Sequence, residues 1–501
     1  MAMVITVLVL VVVMTLLTVV FDQGVQSLPL ARHAQDYQAA LQAADAGVED
    51  YINRLDNNSS YYLYTSDAQN PAFSGWTPVP GTNVDEWFRY AVDNTSTGRT
   101  GVVHVVVSGA AGQDPSTATN PSIRTIDVGI RLSGFTSFLY YTDYEIVDPA
   151  IATVDGANYS KECVFRAWQW NTYTNRGYGP DPSCAPDFIY FAGNDVLNGP
   201  VFSNDEIHIC GSPSFPQGVT TAYNQSAGLD VAGATRYGGA GRAFRDSRCS
   251  NAPTFGGTGP QPAGGGFSPF PATNTDMQSD LPAGNDGGGC SYTGPIAVQF
   301  NSNGTMNVTV PGGSTATAPT SAVTCRGSGI ALPPNGLLYD ANPSGCARSS
   351  CYADVSVSGV VHGQVTVGSQ NDITVAGNLT DANPNGSDII GLSATNSILL
   401  DAIRGGLTVD AAMVALDHSI YLPNWSSYRS LGQLTIDGSL AQEFRGPVGT
   451  TNGNGYQKNY IWDRRLRYLQ PPYFTSPTLP NWVKSSFAEC RPTATPAATT
   501  C

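Results

Sequence analysis

The sequence predicts a mainly β protein with a long N-terminal α-helix: an α+β head followed by a parallel β-helix, a solenoid of stacked coils. Three observations carry that expectation. Charged residues are only 13% of the 501-residue chain while Gly and Pro number 54 and 34, a balance that favours short strands joined by many turns. An uncharged apolar run from Met3 to Phe21 is followed by apolar residues at helical spacing from Tyr37 to Leu55. Beyond Phe188, short apolar runs recur at steps of about 8 to 12 residues, several of them just behind Asn or Asp.

The length allows two to four folding units at roughly 100 to 200 residues each, with ample apolar surface for a core. A net charge of -15, with lysine only at positions 161, 458 and 484, lacks the basic face that a nucleic-acid backbone demands, and that class of partner is excluded. Ten cysteines occur and none forms a CxxC pair, so they read as disulfides beside an export signal and not as a zinc site. Cys163 with Cys184, and Cys346 with Cys351, are candidate pairs; connectivity stays open.

The N-terminal element comes first. From Met3 to Phe21 the chain is MVITVLVLVVVMTLLTVVF, uncharged and long enough as a helix to match a bilayer core of about 30 Å. A cleaved signal peptide is disfavoured, because no basic n-region precedes the run and no A-x-A-like site follows it. Apolar residues then recur at helical spacing in Tyr37, Ala40, Leu41, Ala44, Val48, Tyr51, Ile52 and Leu55, opposite Asp36, Gln38, Gln42, Asp45, Glu49 and Asp50. Gly24 and Pro29 lie between the halves, where a kink or unwound stretch is expected.

This half-apolar, half-amphipathic element resembles the type IV pilin spine. The opening MAMVITVLVLVVVMTLL followed by YQAALQAADAGVED is similar to the PilX-type minor pilins over about the first 55 residues. The resemblance implies a filament subunit processed just before the apolar run, after a Gly that this chain does not contain. Either Met1 begins the mature form or a basic leader is missing. Major pilins of the family carry Glu at the fifth mature position, pairing with a neighbour's N-terminal amine. Here that position is Ile5, and no acid occurs before Asp22. An unpaired charge in an apolar bundle is costly, so the subunit is expected at or near the filament tip, or else simply in few copies. Ile5, Asp22, Gly24 and Pro29 are the candidate assembly positions.

The head is expected over residues 56–150. GVVHVVVSG at 101 to 109 and RTIDVGIRL at 124 to 132 read as antiparallel, half-buried strands. Packed on the helix's apolar stripe they would make a pilin-like α+β unit, with Trp76, Trp87 and Phe88 filling the interface.

The rest divides into the start of a β-rich domain (151–210), a Gly/Ser/Pro-rich, loop-like insertion stabilised by disulfides (211–334), a β-helix (335–450), a C-terminal cap (451–490) and a disordered tail (491–501). Apolar runs at Ile398 to Leu400, Leu407 to Val409, Met413 to Leu416, Ile420 to Leu422 and Leu434 to Ile436 are the expected strands, and Asn or Asp before a strand suits a stacked turn. Edge strands need covering, for which FRGPVGT at 444 to 450 and the polar stretch after it are candidates. GFTSFLYYTDYEIVDP (134–149), NGPVFSNDEIHICGSPSF (198–215), SLAQEFRGPVGT (439–450) and GYQKNYIWDRRLRYLQPPYF (455–474) resemble a group of actinobacterial surface proteins that share the minor-pilin N-terminus. That resemblance implies architecture and export and names no ligand.

A β-helix enzyme acting on polysaccharide would need paired carboxylates or a basic residue above calcium. Asp372, Asp410, Asp417 and His418 are the nearest candidates, all in turn-like contexts where Asp serves the backbone. The five histidines are scattered without metal-ligand spacing, and GxSxG, P-loop and dinucleotide motifs are missing from any credible context. In DANPNGSD, Asp381, Asn383, Asn385 and Asp388 imitate the start of an EF-hand loop and make calcium a candidate cofactor, although position twelve is Leu392. The expected protein is therefore no enzyme. It is a structural and adhesive minor pilin, held in the inner membrane before assembly and displayed afterwards on a cell-surface filament. Its partners would be other pilin subunits and a surface glycan or protein. The alternative is a single-span anchored β-helix protein that binds or acts on extracellular polysaccharide.

Overall fold

The computed structural model describes residues 2–58, 61–81, 85–95, 97–119, 121–151, 189–193, 195–222, 235–237, 243–245, 253–257, 259–262, 268–284, 286–346, 352–450, 452–477 and 481–490. Cys163, Cys184, Cys249, Cys351 and the tail from Arg491 lie outside them. The protein is mainly β with few helices. It divides into two units: residues 1–96, 102–131 and 482–501, and residues 97–101 and 132–481.

In the first unit, one helix, α1, runs over Ala2–Asn57. It is continuous through Gly24 and Pro29, so the expected unwound stretch does not form. Proline removes one internal hydrogen bond, but the helical turns on either side keep theirs. Among the described residues no helix is long and apolar enough to cross a membrane. The span expected from Met3 to Phe21 includes positions 19 to 21, whose side chains are not described.

The inner part of α1 buries Ala40, Ala43, Ala44, Val48, Tyr51 and Leu55 against a sheet of β1 (Thr77–Pro78), β2 (Glu86–Asp93), β3 (Val102–Ala111) and β4 (Ser122–Ser133). These four strands pair antiparallel in order. Small residues let helix and sheet touch. A Cβ on Gly109 would stand 2.1 Å from the Ala40 carbonyl oxygen, so backbone meets backbone there. Strand alternation turns Phe88 and Tyr90 into this interface. It turns Trp87 away, and Trp76 is half-buried under the Arg89 guanidinium, which corrects the expectation that both tryptophans fill the core.

The fifth strand of that sheet is Asn481–Glu489, beside β4. Ser485 donates to the Gly129 carbonyl at 2.9 Å, Arg124 and Glu489 pair at 2.6 Å, and Lys484 pairs with Asp45 and, at 2.9 Å, with Glu49 on α1. The expected C-terminal cap is therefore two different things, because residues 456–462 join the second unit while 481–489 complete the first.

The second unit is built mainly from parallel strands, most of them in two long ladders, with a shorter row running from Ile373–Asp381 through Ile398–Leu400 to Ile420–Tyr421 and a separate four-stranded sheet. One joins Cys290–Thr293, Leu337–Ala341, Gln364–Ser369, Ile389–Ala394, Ala412–Ala415 and the distal half of Gly432–Arg445, then continues through Tyr140–Val147, Val201–Ser203, Val219–Thr221 and Gln261–Pro262. The other joins Ile296–Asn301, Val355–Val361, Ile373–Asp381, Leu407–Val409, the proximal half of Gly432–Arg445, Tyr456–Trp462, Val196–Asn198, Ser214–Phe215 and Thr254–Phe255. Inward residues of both ladders share one apolar core.

Three boundaries move as a result. Tyr140–Val147 leaves the predicted head because it pairs with the long strand Gly432–Arg445. Residues from Cys290 leave the predicted insertion, since Tyr292, Val298 and Met306 are core. FRGPVGT is not a cap: Phe444 and Arg445 are buried. The edge at Ile296–Asn301 is covered instead by the antiparallel strands Thr305–Thr309 and Gly327–Ala331, which blunts an open strand edge. A disulfide between Cys290 and Cys325 ties this region down, with Cα atoms 5.6 Å apart.

Candidate functional site

Three places carry the residues singled out by sequence. The first is the outer half of α1. Every large apolar residue described from Met3 to Leu17 is exposed, Ile5 at 60%. The threonines in this stretch add no free polar group: Thr15 donates to the Val12 carbonyl at 2.8 Å and Thr18 to the Thr15 carbonyl at 2.9 Å, while Thr6 bonds back to Met3. Asp22 and Gly24 have helical backbone, and Pro29 is exposed.

The second place is the DANPNGSD loop, together with a column of acids that sequence reading missed. Strand endings repeat as Leu379-Thr380-Asp381, Leu407-Thr408-Val409-Asp410 and Leu434-Thr435-Ile436-Asp437. Register pairs Leu407 with Leu434 and Val409 with Ile436, which sets Asp410 beside Asp437 at one corner, while Leu379 pairs with Val409 and so carries Asp381 one position farther along. Burial, with Asp381 and Asp437 adding to it, pushes the Asp410 carboxyl up to about 7, and burial also raises Asp381 and Asp437.

The counter-charge at that corner is Arg465. Its side chain, 12% exposed, pairs with Asp463 and Asp381 and donates to the carbonyl oxygens of Asp388 at 2.8 Å, Asn383 at 3.3 Å and Gly386 at 3.4 Å. The loop read as a calcium site thus wraps the chain's own guanidinium. Asp388 turns the other way, accepting from the Gly363 amide at 2.9 Å and lying 3.0 Å from His362 Nδ1, and Asn385 is exposed. Among the described residues no group of three or more His, Cys, Asp or Glu is arranged to hold a metal.

The third place lies at the opposite end of the strand Ile373–Asp381. Asp372 accepts from Asn396 Nδ2 at 2.6 Å and the Ser397 amide at 2.9 Å, and Asn371 bonds Asp354 in the same manner, so Asn and Asp link neighbouring strands. His418 Nδ1 lies 2.9 Å from Asp148 Oδ2, and its Nε2 is 3.6 Å from Asp417, which is 72% exposed. The Asp148 hydrogen bond raises the His418 imidazole above its ordinary value despite burial. Ser419 donates to the Phe444 carbonyl at 2.9 Å and also lies 3.4 Å from Asp148 Oδ2. Asp372, Asp417 and His418 share this corner, while Asp410 belongs to the Arg465 corner.

Compared with protein-family models, curated proteins and solved structures, the chain matches none.

Between the ladders lies a further ionic group that no motif announced. Arg445 donates to Glu145 at 3.1 Å and to the Ile189 carbonyl at 2.7 Å, and its guanidinium sits 3.6 Å from the Phe191 ring centroid. Lys458 pairs with Asp195 at 2.9 Å. Burying such charges costs several kcal/mol per ion unless they are paired, and here each has a partner. The readable signal was weak: a lysine at an inward position of the alternating run YQKNYIW.

Proposed function

We propose that this chain is a structural and adhesive minor pilin of a type IV pilus-like filament, carrying a parallel β-helix outward at the cell surface. The observation behind this reading is the stretch of α1 from Met3 to Thr18, whose large apolar side chains are exposed and whose threonine hydroxyls are satisfied internally, while the inner part of the helix is committed to its own sheet. Such a helix suits a bilayer core before assembly and a bundle of like helices afterwards. Ile5 in place of an acid favours a position at or near the tip. The two parallel ladders and the Asn and Asp bonds between strands support a β-helix body, and a glycan or protein ligand would bind there.

The test is N-terminal sequencing and mass spectrometry of the protein in sheared surface filaments. A processed, N-methylated residue at or near Met1 supports the pilin. Recovery only from membranes, unprocessed, overturns it in favour of an anchored β-helix surface protein. That second reading draws on the partly open corner of His418, Asp148, Asp417 and Asp372. It requires activity on a polysaccharide that Asp417→Ala or Asp372→Ala abolishes.

A further inference from the structure

Only three lysines occur in the chain, and one of them is turned inward. Lys458 lies on Tyr456–Trp462, where Tyr456, Tyr460 and Trp462, at the same parity, belong to the apolar core. It lines a cavity with Leu400, Ile436, Tyr460 and Arg445. Nζ stands 2.9 Å from Asp195 Oδ2, with the two side chains 16% and 9% exposed. The Asp195 carboxylate is itself held by the Ala192 amide at 2.9 Å, and 263 residues separate the pair.

We propose that Lys458 and Asp195 form an intramolecular amide bond that crosslinks the second unit. The carboxyl carbon lies one bond beyond the contacted oxygen, and bond formation requires the two side chains to close from hydrogen-bond contact to a near-attack separation of roughly 3–3.5 Å. Condensation needs the neutral amine and the neutral acid, which differ from the ion pair by one proton moved between them. A poorly solvated site favours the uncharged amine. Burial pulls the Lys458 ammonium down from its ordinary value, and the fixed charge of Arg445 works in the same direction against the pull of Asp195. Arg445 is kept in place by Glu145.

The step balances without any co-reactant. The Nζ lone pair adds to Cγ of the protonated Asp195, the Cγ–OH bond breaks, and the departing hydroxyl takes a proton from nitrogen to leave as one water. The adjoining cavity, about 10 Å³, is close to what one water occupies. Once the water is lost to solvent, the poor accessibility of the pair slows hydrolysis. The inference does not depend on the filament reading.

The intact mass of the reduced full-length protein, with a tryptic map, tests it. The expected result is a deficit of one water, no tryptic cleavage after Lys458, and a branched peptide joining Lys458 to Asp195. Asp195→Ala and Lys458→Arg each remove the branched peptide and the deficit, and Asp195→Asn changes the deficit to one ammonia. Full sequence mass in the folded wild-type chain overturns the proposal. So does a water deficit confined to an aspartate peptide while trypsin still cuts at Lys458. The wild-type measurement decides even where a variant fails to fold.

Discussion

Arg465 and Asp381, 84 residues apart in sequence, meet side chain to side chain, and the same guanidinium collects the carbonyl oxygens of the loop that follows Asp381. Nearly all of its donors are spent on one corner. The corner gathers Asp381, Asp410, Asp437 and Asp463, so the arginine is the charge that makes their stacking tolerable.

Arg465→Gln is expected to destabilise the second unit by about 3–5 kcal/mol, the usual cost of leaving a buried acid unpaired. Urea unfolding measures it. Combined with Asp381→Asn, the loss should be smaller than the sum of the two single losses, because the pair is coupled. Additive losses would show that Arg465 acts through packing alone.

Stability should rise on acidification from about pH 8 to about pH 5. Asp410 is pushed up to about 7 and Asp340, buried with no partner for either oxygen, to about 8, chiefly by burial. A carboxyl with a folded value above its unfolded one binds its proton more tightly when folded. Its contribution is full below about pH 4 and is lost as pH rises through those folded values. Thermal melts of Asp410→Asn and Asp340→Asn should show a flatter pH dependence and a higher midpoint near pH 8; an unchanged slope contradicts the assignment.

Gly109→Val is expected to destabilise the first unit by at least about 1–3 kcal/mol. The new Cβ would meet the Ala40 carbonyl oxygen at 2.1 Å and the Ala44 amide nitrogen at 2.2 Å, and backbone cannot yield as a side chain can. Near-ultraviolet circular dichroism follows the loss through Tyr51 and Tyr90, whose rings pack 5.3 Å apart beside the same interface.

Replacing Cys290 and Cys325 together by Ser should remove about 3–4 kcal/mol in the loop-closure picture, given a separation of 35 residues. Hydrogen exchange should then rise first in Thr305–Thr309 and Gly327–Ala331, the strands that cover the ladder edge.

Local patterns were legible. The stripe from Ala40 to Leu55 and the strands at 398–400 and 407–409 follow from periodicity, since each is a short-range consequence of which face is buried. The repeat LTVDA and LTIDG was equally visible and marks the acidic corner, but one acid per strand looks like an ordinary turn until the register is known. In DANPNGSD the oxygen-rich loop was recognised and its cation was not, because the guanidinium arrives from 77 or more residues away. Long-range pairing hid the rest. Nothing in NWVKSSFAE says that it belongs beside RTIDVGIRL rather than beside its sequence neighbours, and strand pairing carries little local signature.

The edge of β4 that receives Asn481–Glu489 has a consequence in biosynthesis. Between those two strands the ribosome must make the whole second unit, about 350 residues, or on the order of 20–70 s of synthesis at typical rates. For that interval a nascent sheet holds an unsatisfied row of amides and carbonyls beside an amphipathic helix whose Asp45 and Glu49 still lack Lys484. A cell making this protein must shield that edge until the last strand emerges, and truncation anywhere before Asn481 would leave it open for good.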